Sequence, residues 1–232
     1  NQTNFSVSVM NINQLKVLKD YNVSKIYIPA DLIIHQDISL QDIDKFVSAK
    51  INRPEIFLSL PRIIRNKDQK YLSNVANLLN SDMINGVLIK DLDELNYIKN
   101  LETKIKKDFD HNLYVWNQTS LNFLKKEADS ICAPLELSRY ELNDLNDNDI
   151  QLIVYGHMPM MVSANCIMKT TDNCNKSNNS FNQSIFDRYK KEHMVFCNCI
   201  HCYNEIYNSL PLSLHNEMKN LENDGYYNFR LD

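Results

Sequence analysis

The 232-residue chain reads as an α/β protein, a (β/α)8 TIM-barrel-like domain with a cysteine-rich insertion after strand seven. Three observations predict this. Short β-rich runs alternate with amphipathic helical patterns over the first 155 residues. Several of these runs are apolar at consecutive positions, as in Ile26, Tyr27 and Ile28 or Val87, Leu88 and Ile89, which suits strands covered on both faces. The alternation then breaks for a long polar stretch carrying cysteines, after which one more helical pattern and one more strand bring the strands to eight. An open doubly wound sheet, built from the same βα units, is the alternative.

Taken in order, the predicted strands are Phe5–Val9, Lys25–Pro29, Glu55–Leu60, Gly86–Lys90, Leu113–Trp116, Ser130–Pro134, Gln151–Tyr155 and Tyr226–Leu231. Between them Ile12, Leu15 and Leu18, then Ile43, Phe46 and Val47, then Leu72, Val75 and Leu79 recur at helical spacing. Further helices are predicted at Leu92–Lys99, Ser120–Lys126, Arg139–Leu145 and Leu214–Leu221. Gly86 is expected as a helix C-cap opening its strand, and Gly156 as the end of strand seven. The insertion runs over residues 157–208, with a turn-forming polar loop at 175–184. No linker divides the chain, so residues 1–232 are expected to form a single barrel-like domain. The start at Asn1, without an initiator Met or a signal-like segment, marks it as a fragment of a longer polypeptide whose N-terminal domains are expected partners.

Composition excludes several classes. With three glycines and no GxxxxGK[ST] or GxGxxG, there is no phosphate-cradling loop. A net charge of −4 gives no global attraction to nucleic acid. No apolar run approaches the roughly 20 residues that span a bilayer, so no membrane association is expected.

Five of the six cysteines fall between residues 166 and 202, in the pattern Cys-x7-Cys-x22-Cys-x-Cys-x2-Cys. A disulfide framework would distribute its cysteines along a small chain. Their clustering instead predicts a reducing, cytoplasmic compartment and a metal or iron–sulfur site. Four thiolates can hold a [4Fe–4S] cluster, or a structural zinc. The chosen ligands are Cys166, Cys174, Cys199 and Cys202, with Cys197 as the alternative, since an extended segment would point Cys197 and Cys199 the same way. Cys132, in a strand pattern, is expected to be core. Arg230, in the last strand, is a candidate carboxylate clamp at the barrel mouth. Arg188, in the run Asp187–Lys191, could meet phosphate or a carboxylate, or lie in a solvated turn. Met158, Met160 and Met161 are expected to pack the barrel top, and Trp116, Tyr203 and Tyr207 to pack in the core. The remaining histidines, His35, His111, His193 and His215, are scattered.

Two segments carry a family resemblance. Pro134–Ser138, followed by Val154–Ser163 and Cys166, resembles peptidase family U32. So does the path from Asp187 and Arg188 through Cys199, His201, Cys202, Tyr203 and Asn204 to Leu212. The likeness is strongest over residues 129–231 and is nearest to the C-terminal segment of long bacterial members, which are similar to the family's 23S rRNA hydroxylation protein. The resemblance implies an iron–sulfur-dependent component of rRNA or tRNA hydroxylation, with RNA reached through the full-length chain and prephenate as a further small molecule. The family's older label implies a collagenase-like peptidase instead, and a structural, non-catalytic segment of a larger enzyme is the third alternative. Peptidase chemistry has no local motif here, neither HExxH nor Gly-x-Ser-x-Gly. His157 follows Tyr155 and Gly156 at a position where the family pattern leads one to expect Arg; it is named, with Arg188 and Arg230, as a substrate-binding candidate.

Overall fold

A computed structural model describes residues 2–65, 68–101, 103–171, 173–174 and 180–232. The chain forms two compact units. The first comprises residues 1–60, 69–154 and 214–232, and the second residues 61–68 and 155–213.

The first unit is mixed α/β, built on a curled, mostly parallel sheet. Its strands are β1 (Asn4–Ser8), β2 (Lys25–Pro29), β3 (Glu55–Ser59), β4 (Gly86–Ile89), β5 (Lys106–Phe109), β6 (Ser130–Ile131), β7 (Leu152–Gly156) and β13 (Asn228–Leu231). They lie in the order β7-β13-β1-β2-β3-β4-β5-β6, and every neighbouring pair from β13 to β6 is parallel. Beyond β6 the Cys132 position forms a parallel bridge with Gln151, just before β7. The Gln151 amide donates to the Ile131 carbonyl at 2.8 Å, and the Ala133 amide to the Gln151 carbonyl at 2.9 Å. The helices are α1 (Ile12–Val17), α2 (Ala30–Ile34), α3 (Leu40–Ser48), α4 (Gln69–Leu79), α5 (Leu92–Asn100), α6 (Gln118–Leu124), α7 (Arg139–Asp144) and α9 (Met218–Asn223). Side-chain caps start most of them. Ser39 and Asp42, Asn117 and Ser120, and Ser138 and Glu141 form reciprocal capping boxes at α3, α6 and α7.

The apolar runs sit where a sheet covered on both faces needs them. Ile26, Tyr27, Ile28, Ile56, Phe57, Leu58, Val87, Leu88 and Ile89 are all buried. Leu152 and Val154 are buried as the strand-seven prediction requires. Gly86 is not a helix cap, because α4 ends at Leu79. It is needed for space: a Cβ there would lie 2.1 Å from the buried Phe57 ring. Gly225 does follow a helix, at φ +98°, and the amides of Gly225 and Tyr226 close a Schellman motif onto Glu222 and Leu221.

One predicted strand is wrong. Leu113–Trp116 is not a strand; residues His111–Leu113 form a 3-10 turn, Tyr114 is left-handed, and the Trp116 ring stacks on Tyr114 at 6.1 Å, half exposed. The fifth strand is instead Lys106–Phe109, whose two lysines and aspartate disguised it.

The second unit holds an antiparallel sheet, β8 (Pro159–Ser163), β9 (Phe181–Phe186), β10 (Glu192–Asn198) and β11 (Tyr203–Tyr207), in the order β8-β11-β10-β9. A short helix, α8 (Ile167–Thr170), follows β8. Tyr155 and Gly156, the end of β7, pair antiparallel with β12 (Leu212–Ser213), which adds a ninth strand to the curled sheet. Met160 and Met161 lie on β8 with more than half their surface exposed, so they do not pack a barrel top. Residues 175–179 of the polar loop expected at 175–184 lie outside the described residues. Among the described residues no helix is long and apolar enough to cross a membrane.

Candidate functional site

Five of the six cysteines belong to the second unit, and all six are free. β10 and β11 are joined by a four-residue turn, residues 199–202, closed by the Asn198–Tyr203 pair. Cys199 opens the turn, part-buried. Cys202 closes it, exposed and left-handed at φ +53°. Cys166 stands at the N-terminus of α8, part-buried, and Cys174 is exposed beyond the helix. Asn204 on β11 ties this side together: its Nδ2 donates to the Asn165 carbonyl at 2.9 Å, while its Oδ1 is buried without a partner.

The ionisation of Cys199 reports its neighbours. Burial raises its pKa first, and then the thiols of Cys166, Cys174 and Cys202 raise it further, because neighbouring thiolates repel one another. Cys197 is coupled to Cys199 and Cys166 in the same sense, so all five cysteines of this unit share one electrostatic neighbourhood. Electrostatic range is wider than bonding range, however. Among the described residues no three His, Cys, Asp or Glu side chains are gathered in a shell that could hold a metal ion. In chemistry and neighbourhood the donor set suits a thiolate-bound centre; closing onto one requires the thiols to draw together.

Cys197 differs from Cys199 in its burial. It is fully buried on β10, which ends at Asn198, and Gln183 Nε2 donates to its sulfur at 3.3 Å. Burial above all pushes its thiol up to about 11, with Cys199 and Cys166 adding to it. Cys132 is buried at the end of β6 in the first unit, its thiol pushed up to about 12 mainly by burial.

The turn at 199–202 is held by residues that sequence reading missed. Arg65, in the segment after β3, sends Nη1 to the His201 carbonyl and Nη2 to the Cys202 carbonyl, the latter at 3.0 Å. His201 itself is buried, its amide donating to Asn198 Oδ1 at 2.9 Å and its Nδ1 lying 3.4 Å from Asp68. From the same segment Arg62 faces the Glu205 carboxylate at 3.9 Å, and its amide donates to the Tyr203 hydroxyl. One signal in the sequence could have found them, a nine-residue gap between Ser59 and Gln69 bearing two arginines, longer than a βα connection needs.

Of the three substrate-binding candidates, two are exposed and one is buried. His157 lies beside a shallow depression lined by Ser184, Glu192, Met194, Asn208 and Ser209, and its Nδ1 donates to the Asn208 carbonyl at 3.0 Å. Arg188 occupies the tip of the β9–β10 hairpin, over the Tyr189 ring, in a turn whose Asp187 accepts from the Tyr189 and Lys191 amides. Arg230 does not face solvent. It is 2% exposed inside the first unit, and its guanidinium is met by Asp110 at 2.8 Å and by both oxygens of Asp232. The clamp anticipated there already holds carboxylates of its own chain. From Arg230 a buried polar chain continues through Gln151 and Tyr27 to Asp108 and Lys25. His111 is buried against Asp110, with its Nδ1 3.0 Å from the carboxylate.

These features define an α/β protein with a separate cysteine-bearing antiparallel unit. The sequence model of peptidase family U32 matches residues 33–190, more than half of the chain, and the chain belongs to that family. No curated protein matches the sequence. Among solved structures, the Bacillus cereus spore cortex-lytic enzyme SleL is similar with a TM-score of 0.49 at 8% identity, covering 100% of this chain and 71% of that one. A protein assigned as a fructose-1,6-biphosphate aldolase from Coccidioides immitis is similar with a TM-score of 0.43 at 14% identity, covering 66% of this chain and 64% of that one.

Proposed function

We propose that this U32 protein is an iron–sulfur-dependent component of RNA hydroxylation, with Cys166, Cys174, Cys199 and Cys202 as the ligands of a [4Fe–4S] cluster. What supports this reading is the family match, with Cys199 and Cys202 on one four-residue turn and Asn204, on the strand that leaves it, bonded to the Asn165 carbonyl beside Cys166. Four thiolates drawn onto one point would repel one another, and a cationic centre would turn that repulsion into binding. A bound cluster would supply one-electron chemistry beside the substrate. The chain's own contribution is to hold four sulfurs and to limit water on the Cys199 side, which is part-buried. Cys197 is set apart by its burial and by Gln183. RNA is reached through further domains of the same polypeptide. The small acidic co-substrate that the family likeness implies, prephenate, would be met by the exposed Arg188 and the His157 ring, since Arg230 already holds Asp110 and Asp232. On this reading the first unit is a (β/α)8-type barrel, closed where the Cys132–Gln151 bridge joins β6 to β7, with the second unit inserted after β7.

Anaerobic reconstitution with ferrous iron and sulfide tests the ligand set. Serine at position 166, 174, 199 or 202 is expected to abolish iron binding and the broad absorbance near 400 nm. Cys132→Ala and Cys197→Ser are expected to leave iron per chain unchanged. Retention of iron in any of the first four variants, or cleavage of a protein substrate that depends on one of those cysteines, would overturn the reading. Loss of a hydroxylated nucleoside from rRNA or tRNA in cells carrying Cys199→Ser, with the transcript still present, is the expected cellular result.

A further inference from the structure

The segment 61–68 leaves the end of β3 and joins the second unit, where it meets the turn that carries Cys199 and Cys202. That turn ends in a left-handed residue. Cys202 at φ +53° occupies a left-handed conformation that costs a non-glycine residue roughly 1–2 kcal/mol. Such a conformation persists only where the surroundings over-determine it. The surroundings here are the two donor arms of Arg65 on the carbonyls of His201 and Cys202, with Asn198 and Asp68 engaging His201 from either side. A planar guanidinium can hold two successive carbonyls in fixed relation, which a lysine ammonium cannot do with the same geometry.

We propose that Arg65 is a positioning residue for the cysteine site: by forking onto two turn carbonyls it fixes the backbone that presents Cys199 and Cys202 together. This rests on the iron–sulfur reading above for its consequence but not for its geometry. Residues that orient ligands without touching the metal typically contribute about 10- to 100-fold in metal affinity. Arg62, three residues earlier in the chain but directed to Glu205, supplies the control.

The test compares Arg65→Ala, Arg65→Lys and Arg62→Gln with the unaltered protein after reconstitution with ferrous iron and sulfide. The readouts are the rate at which a chelator strips iron and the electron paramagnetic resonance spectrum of the reduced cluster. Arg65→Ala is expected to lose iron about tenfold faster or more, with a changed spectrum. Arg65→Lys is expected to resemble it, and Arg62→Gln to match the unaltered protein. Unchanged rate and spectrum in both Arg65 variants would overturn the proposal. If Arg65→Ala loses its cooperative unfolding transition, Arg65→Lys decides. If the unaltered protein takes up no iron, the iron–sulfur reading falls, and the role of Arg65 is read without metal from bridging of Cys199 to Cys202 by dibromobimane. That bridging is expected to slow in both Arg65 variants, and equal rates would overturn the positioning role on its own.

Discussion

Glu94 sits in the first turn of α5, with Oε2 accepting from the Lys90 amide and Oε1 buried without a partner. Burial raises its pKa to about 7, against the opposing pull of Lys90. The folded protein therefore holds this proton more tightly than the unfolded chain does. Its contribution to stability is full below the ordinary carboxylate range and is lost as pH rises through about 7, on the order of 3 kcal/mol in all. Glu94→Gln is expected to flatten that part of the pH dependence and to be more stable than the unaltered protein at pH 8, as read from urea midpoints between pH 5 and 8. A parallel pH slope in the variant would refute this assignment. Single residues such as this were poorly legible in the sequence. Arg230 could be read as a barrel-mouth clamp or as a solvent-facing strand end, and what decides between them is Asp110, 120 positions away.

At the scale of elements, sequence pattern served best where a strand is apolar throughout, and it missed one strand, β5, that is not. β2 occupies the predicted residues Lys25–Pro29, because Ile26, Tyr27 and Ile28 need covering on both faces. β5 escaped because Asp108 is stabilised inside by Lys25 at 2.7 Å and by the Tyr27 hydroxyl, partners that no local window contains. β4 offers a direct test of packing. An added methyl at Gly86 meets the Phe57 ring, which has no solvent-facing side into which to swing. Gly86→Ala is expected to lower stability by about 1–3 kcal/mol in urea unfolding. Adding Phe57→Leu should recover part of that loss, whereas simple additivity would show that the ring is not what the methyl strikes. The cysteine turn was legible as a Cys-x2-Cys spacing, but its left-handed Cys202 and its support by Arg65 were not, since the support comes from 136 and 137 positions away.

For the whole chain, the proposed closure of the first unit predicts a pattern of exchange. The amides of Gln151 and Ala133 donate across the Cys132–Gln151 bridge, so they are expected to exchange with solvent as slowly as those of the central strands β3 and β4. Fast exchange at both would mean that β6 and β7 are open edges. The regular βα beat made this unit legible at a distance, whereas the second unit, with its alternating and partly exposed strands, was visible only as an interruption. The destination of residues 61–68 has a consequence for how the protein can be handled and how it could have diversified. Excising 155–213 as a contiguous cassette would leave behind Arg65 and Asp68, which stand on the far side of three βα repeats in the chain. The cysteine unit is therefore not portable: grafted alone onto another scaffold it would carry the sulfurs without the residues that shape their turn, and any relative that exchanges one of these two segments is expected to have changed the other with it.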